Sequence, residues 1–377
     1  MSLTVLVNAG PWLPVPPRGY GGIETVVATL VPELRRLGVR VVLATVGGSE
    51  LEADGYVRTM ATGRFPAVTA PYNQSSGIVH AHMHAVVTAI RDDPSIDLVH
   101  DHLEVVGPAV LGAMGAAAPP SLQTLHWDLR KHADFYSTFD GRGRVAFAAV
   151  SESQLELAPE RLRAQTIGVV PLAVPRPPSV EVEMGDHAVL LARITAVKGQ
   201  DIAARVCRRA GVPLVLAGPV AGVQCPEELE RRLADGDDEL ARHPDVRFYL
   251  DQVAPLVDGV GVRWVGEVAG EAKERLLQSA RALLAPLRWP EPGATGVVEA
   301  LTRGVPVVGT PMGALPSLVR PGSTGYLAED EDDFVACLHR LDQIDPDSCR
   351  AAVGSWTPEA MAERYLGLYR RQLEAAA

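Results

Sequence analysis

Four side chains in the second half of the chain have the types and the spacing to hold a phosphorylated, hydroxyl-rich ligand. Glu291 and Glu299 stand in EPGATGVVEALTRGVPVVGT, where Pro292 and Gly293 make a loop, so the first carboxylate falls at a loop mouth and the second in the helix behind it. A carboxylate accepts hydrogen bonds from two adjacent hydroxyls, which both a ribose and a hexose offer. Between them, the amides of Gly293, Ala294, Thr295 and Gly296 open a helix and suit an anion. Arg193 and Lys198, in LLARITAVKGQD, follow a strand-like run. Two fixed cations there would stabilise the negative charge that builds on a departing diphosphate, and no metal would then be required. The chemistry implied is cleavage of a sugar from a nucleoside diphosphate.

Other residues carry weaker signals. Gly21 and Gly22, in PVPPRGYGGIE, stand just before a helix and let backbone approach a phosphate or an acceptor, although a plain tight turn has the same composition. The three spaced glycines of the dinucleotide fingerprint are absent from this loop, which argues against a dehydrogenase. His126 in TLHWD, with Asp128 nearby, is placed to touch a donor sugar; a buried structural imidazole is the alternative. His80, His82 and His84, and the pair His100 and His102, resemble metal ligands on paper but lack a second cluster of zinc type, and packed or solvated histidines are expected. Ala217–Pro219 and the run Gly266, Glu267, Val268 follow apolar strands, where a nucleotide base could rest against backbone; ordinary βα turns are the alternative.

The elements that must position these groups are βα units. Short apolar runs alternate with amphipathic stretches along the whole chain, the pattern of a parallel sheet. LTVLVN, VRVVLATV, IDLVHDH, SLQTLHWD and VAFAAVSES read as strands of a first domain, with a helix from Ile23 to Leu37. The proline-rich, acidic stretch PRPPSVEVEMGD interrupts the pattern. The expected organisation is a first domain over 1–172, a linker over 173–185 and a second domain over 186–356, in which a charged helix spans Pro226 to Ala241 and six units repeat the alternation. A length of 377 residues, with 47% hydrophobic and 21% charged, suits two such domains.

Charge and cysteine usage narrow the partners. A net charge of -11 opposes binding to nucleic acid or to an anionic membrane surface, and no apolar run is long enough to span a bilayer. The four cysteines lie far apart with no metal-ligand spacing and no secretory leader ahead of them, which fits a reducing cytoplasm. Only three lysines occur, Lys131, Lys198 and Lys273, so arginine supplies nearly all the positive charge.

Taken in order, GYGGIE, DLVHDH, TLHWD, ARITAVKG, VGEVAGEAK, the paired-glutamate block and GVPVVGTPMGALPSLVRPGSTGYLAED make the whole chain resemble glycosyltransferase family 4. That resemblance implies a GT-B fold, two Rossmann-like, doubly wound α/β domains facing a central cleft, with a closing helix over 357–377 that returns to the first. It implies retaining, metal-independent transfer from a nucleotide-diphosphate sugar, UDP ahead of GDP, to a small-molecule or oligosaccharide acceptor. Glu299 would bind the ribose, Glu291 and the loop after it the donor sugar, Arg193 and Lys198 the diphosphate, and Gly22 would approach the diphosphate from the other domain. Where many relatives carry Phe-Gly after the Glu-Pro, this chain has Gly293 and Ala294. GYGGI and EPGAT are similar to strings in transferases that decorate actinobacterial oligosaccharide antibiotics. A monomer or homodimer is expected. A nucleotide-sugar epimerase or hydrolase, or a noncatalytic nucleotide-sugar-binding protein, would use the same scaffold.

Overall fold

The computed structural model describes residues 3–19, 21–178 and 180–377; Tyr20 of the GYGGIE string lies outside them. The chain divides into two units, Met1–Pro175 with Trp356–Ala377, and Arg176–Ser355. Each is a parallel sheet with helices between its strands, as the alternation of buried apolar runs and amphipathic stretches requires.

In the first unit the strands are β1 (Thr4–Asn8), β2 (Arg40–Thr45), β3 (Gly55–Arg58), β4 (Leu98–Asp101), β5 (Ser121–Thr124), β6 (Val145–Ala149) and β7 (Thr166–Val169), in the order β3-β2-β1-β4-β5-β6-β7. All five residues of β1 are buried, which is why TVLVN carries no polar alternation. Helix Gly22–Arg36 covers one face of the sheet, and helix Pro358–Ala376 packs beside it with Met361, Tyr365 and Tyr369 in the same core as Val27, Leu30 and Leu34. Thr357 caps that last helix by accepting from the Ala360 amide at 3.2 Å.

The second unit carries β8 (Ala188–Leu191), β9 (Leu214–Ala217), β10 (Val262–Trp264), β11 (Ala282–Ala285), β12 (Val307–Gly309) and β13 (Gly325–Leu327), in the order β10-β9-β8-β11-β12-β13. Strand order reverses between β1 and β4 in the first sheet and between β8 and β11 in the second. In open α/β sheets ligands gather outside the carboxyl ends of the strands at such a reversal.

Several boundaries differ from the expected ones for physical reasons. The charged helix expected over Pro226 to Ala241 is two helices, Pro226–Ala234 and Asp238–Arg242. Gly236, at φ 81°, turns the chain between them, and Asp237 caps the second by accepting from the Leu240 amide at 3.0 Å. Helix Tyr72–Asp92 and strand β3 were not anticipated; His80, His82 and His84 lie on that helix, His82 buried and the other two exposed. Between Val169 and Ala188 the described residues form no helix or strand, and Ala173, the first residue of the expected linker, is packed into the first core together with Leu172 before it.

Candidate active site

At the reversal of the second sheet, the loop after β8 and the loop after β11 are laced together. Gly199, at φ 72°, sits where a Cβ would stand 2.1 Å from the Pro286 carbonyl oxygen, so only glycine allows the two loops this close. The Arg288 amide donates to the Val197 carbonyl at 2.9 Å, and its guanidinium donates to the Ala196 carbonyl and to Asp201, both at 2.8 Å. Across this seam the Lys198 ammonium donates to Glu291 and lies 5.4 Å from the centre of the Trp289 ring. Both ends of the pair are largely shielded, yet each keeps about a fifth of its side chain exposed. Glu291 is held from behind: its carbonyl accepts from the Ala314 amide at 2.9 Å, and a Cβ on Gly313 would meet its backbone at 2.4 Å.

Arg193 follows the end of β8, with a half-exposed guanidinium 3.3 Å from Asp245. Its carbonyl accepts from Gln200 at 2.9 Å, which fixes the backbone of the loop that also carries Lys198.

Behind Glu291, helix Thr295–Thr302 starts at Ala294, whose φ of 47° and ψ of 43° are left-handed. Gly293 and Ala294 are buried, whereas Thr295 and Gly296 remain partly open. The first-turn amides have no carbonyl one turn earlier to meet, so they present donors at the helix start. One turn on, Glu299 is buried and its Oε1 accepts from the Lys273 ammonium at 2.7 Å, while among the described residues Oε2 has no hydrogen-bond partner. Arg303 anchors this arrangement from below, donating to the Glu299 carbonyl at 2.9 Å and to buried Glu274 at 2.7 Å. The Arg303 contact holds Glu274 below the usual carboxylate range, against the opposite pull of its own burial.

Beside this seam, Gly266 at φ 75° makes the turn after β10, where a Cβ would stand 2.3 Å from the Gln224 carbonyl oxygen. Its own carbonyl accepts from the Gly218 amide at 2.7 Å and the Glu267 amide donates to Gln224 at 2.6 Å, so Gly266 to Val268 and Ala217 to Pro219 form one braced ledge. Val265, at its rim, is exposed.

The second unit therefore joins Lys198 to Glu291 and sets Glu299 in the helix that follows, but turns Arg193 to Asp245. Lys273, Arg303, Glu274 and Asp245 were not singled out from sequence. The scarcity of lysine that marked Lys198 applied equally to Lys273, and the four-residue step from Glu299 to Arg303 was a readable helical pair.

In the first unit, the reversal between β1 and β4 is a buried polar knot. Asn8 donates to Asp101 at 2.7 Å and its Oδ1 lies 2.6 Å from Nε2 of His82. Gln123 donates to Asp101 at 3.1 Å, and a Cβ on Gly107 would stand 1.9 Å from that carboxyl. Burial raises Asp101 to about 7, against the pull of the Leu103 amide, Asn8 and Gln123. His126, after β5, is partly buried and hydrogen-bonds through Nε2 to Nδ1 of buried His102 at 2.8 Å. Enclosure lowers His126 to about 3 and leaves it neutral. Asp128 is occupied by Arg130, at 2.7 Å. Gly21 is needed where it stands, since a Cβ would meet Pro17 at 2.7 Å, whereas Gly22, first residue of the following helix, faces open space. Among the described residues no His, Cys, Asp and Glu side chains gather in a set able to hold a metal ion. No described helix is long and apolar enough to cross a membrane.

Comparison with known proteins gives this geometry a family. Residues 20–175 match the family described as Glycosyltransferase Family 4, and residues 188–343 match Glycosyl transferases group 1. A D-inositol 3-phosphate glycosyltransferase of a Nocardioides species is 25% identical, over 93% of this chain and 85% of that protein. The crystal structure of AviGT4, a glycosyltransferase involved in avilamycin A biosynthesis, is 27% identical with a TM-score of 0.63, covering 99% of this chain and 98% of that one. Anabaena HepE, solved in complex with UDP and glucose, shares the fold at a TM-score of 0.67 and 15% identity, over 98% of this chain and 100% of that one. With both halves matched and the two reversal sites in place, the chain is a glycosyltransferase of the GT-B fold, its first half a Glycosyltransferase Family 4 domain and its second a Glycosyl transferases group 1 domain.

Proposed function

We propose that the enzyme takes a glycosyl group from a nucleotide-diphosphate sugar, UDP first and GDP next, and transfers it with retained anomeric configuration to a small-molecule or oligosaccharide hydroxyl without a metal. The observation that carries this reading is the Lys198–Glu291 pair across the seam at the reversal of the second sheet. Cation and carboxylate stand there side by side, where a diphosphate needs the first and a sugar hydroxyl the second. Arg193, on the same loop, exchanges Asp245 for a phosphate oxygen, and its exposed guanidinium makes that exchange inexpensive. Glu299 offers Oε2 to a ribose hydroxyl, and the amides from Gly293 to Thr295 face the diphosphate. Gly266, Glu267 and Val268 give the base a ledge of backbone.

Retention by double displacement would need a free carboxylate nucleophile on the first unit. Asp101, like Glu24 a buried carboxyl of the first unit, has Asn8 and Leu103 on one oxygen and Gln123 on the other. The departing phosphate, steadied by Arg193 and Lys198, then assists attack on the same face of the sugar. The first unit binds the acceptor, and His126 is the polar group it offers to the donor sugar. HepE in complex with UDP and glucose supports a UDP-sugar donor, and AviGT4 supports an acceptor of natural-product type.

The test is a thermal-shift panel of UDP, GDP, ADP and dTDP and their sugars, followed by product analysis with the one that binds. A shift with UDP and its sugars, and a glycosylated product with unchanged anomeric configuration, is expected. No shift with any nucleotide, or release of free sugar in the presence of acceptors, would overturn the proposal.

A further inference from the structure

His102 is fully enclosed, and its ring has one satisfied nitrogen and one that is not. Nδ1 is bonded to His126, while buried Nε2 has no hydrogen-bond partner among the described residues. The nearest ring, His100, lies 4.2 Å away centre to centre, but both of its nitrogens are engaged, with Thr124 at 2.8 Å and the Tyr369 hydroxyl at 2.7 Å. Burial keeps all three imidazoles neutral, so each ring carries one N–H. Only two arrangements of the pair remain. Either His102 carries its proton on Nε2, leaving a buried N–H with no acceptor, or it carries it on Nδ1 and donates to His126. Buried N–H groups without an acceptor are the rarer defect in folded proteins, so the second arrangement wins.

We propose that His102 is a positioning residue that holds the proton of His126 on Nδ1, so that His126 meets a substrate oxygen as a hydrogen-bond donor and not as a base. Among the described residues Nδ1 is the nitrogen of His126 that has no hydrogen-bond partner, and the side chain is only partly buried. Rotation of the His126 ring is opposed by its packing on His102, whose ring centre is 5.1 Å away. The role at substrate rests on the reading that His126 faces a substrate, whereas the proton's position does not.

Long-range proton–nitrogen correlation spectra of the full chain, labelled with nitrogen-15 in histidine and assigned with His126→Gln, read the protonated nitrogen directly. His126 is expected to carry its proton on Nδ1 at pH 7; a proton on Nε2 overturns the proposal. For function, His102→Asn keeps a donor at the place of Nδ1 and is expected to hold kcat within about threefold of wild type. His102→Asp accepts from His126 instead, moves the proton to Nε2 and is expected to lower kcat by roughly tenfold or more with KM for the donor little changed. Equal losses in the two variants would reduce His102 to packing. A Nδ1 proton together with full activity in His126→Gln would remove the substrate-facing role alone and leave the tautomer in place. The spectrum of the unaltered enzyme decides the proton's position even where His102→Asp does not fold.

Discussion

At the scale of single residues, the charges around the reversal of the second sheet are compensated within the protein, with Lys198 on Glu291, Lys273 on Glu299 and Arg193 on Asp245. Donor binding is then an exchange of partners, and the residues differ in what they lose. Glu299→Ala is expected to abolish the thermal shift by the nucleotide that binds wild type, and an unchanged shift would remove the ribose assignment. Arg193→Ala is expected to lower kcat by about two orders of magnitude with a smaller effect on KM, because its cation matters most as the phosphate departs. Equal loss of binding and turnover would make it a simple anchor. Of this arrangement, the placing of Lys198 beside Glu291 was legible because both follow apolar strand-like runs, whose ends gather at one edge of a parallel sheet. Lys273 and Asp245 were not, since they stand on helices that only folding brings beside Glu299 and Arg193. A different carboxyl sets a pH effect on stability. Asp101 is raised to about 7 by burial, so between its ordinary 3.8 and about 7 the folded protein keeps a proton that the unfolded chain releases. Stability therefore falls as pH rises through that window and is level above it. Asp101→Asn should remove this share of the slope, at most about 1.4 kcal/mol per pH unit, while costing roughly 1–2 kcal/mol overall because its amide NH2 opposes Gln123. Urea midpoints at several pH values for both proteins check this, and parallel slopes would count against it.

At the scale of elements, the strands and most helices were legible because runs such as TVLVN and ALLA are buried on both faces and end in turn residues. Strand β3 was missed because GYVR lies at the sheet edge, half exposed, and alternates too briefly to stand out. The helix Tyr72–Asp92 was missed because YNQSSGIVHAHMH opens with polar residues and has no side-chain cap. The start of helix Thr295–Thr302 gives the departure at Gly293 and Ala294 a physical meaning. Ala294 stands where many relatives have glycine, and its φ of 47° is the conformation glycine adopts without strain. Ala294→Gly should therefore leave the melting temperature unchanged or slightly raised, whereas Ala294→Val should cost more than about 1 kcal/mol. A glycine variant that loses as much as the valine one would show that the buried methyl packs better than its backbone strain suggests.

At the scale of the whole chain, the closing helix belongs to the first core although the entire second unit precedes it. Tyr369 bonds to His100 and Tyr365 to Thr124, at 2.7 and 2.8 Å, so the helix is tied to strands β4 and β5 by polar contacts as well as by packing. Tyr369→Phe should cost about 1 kcal/mol. Deletion of 356–377 should lose cooperative unfolding of the first unit while the second keeps its own transition, read by calorimetry; a first unit that still melts sharply would assign the helix a lesser part. The same threading sets a clock on biosynthesis. At about 5–20 residues per second, the residues of the second unit take roughly 10–40 seconds to emerge, and for that time the first sheet waits on the ribosome with a tyrosine-shaped gap in its face. Nascent chains stalled in that interval should therefore recruit holdase chaperones, and release them only once the last nineteen-residue helix has left the exit tunnel.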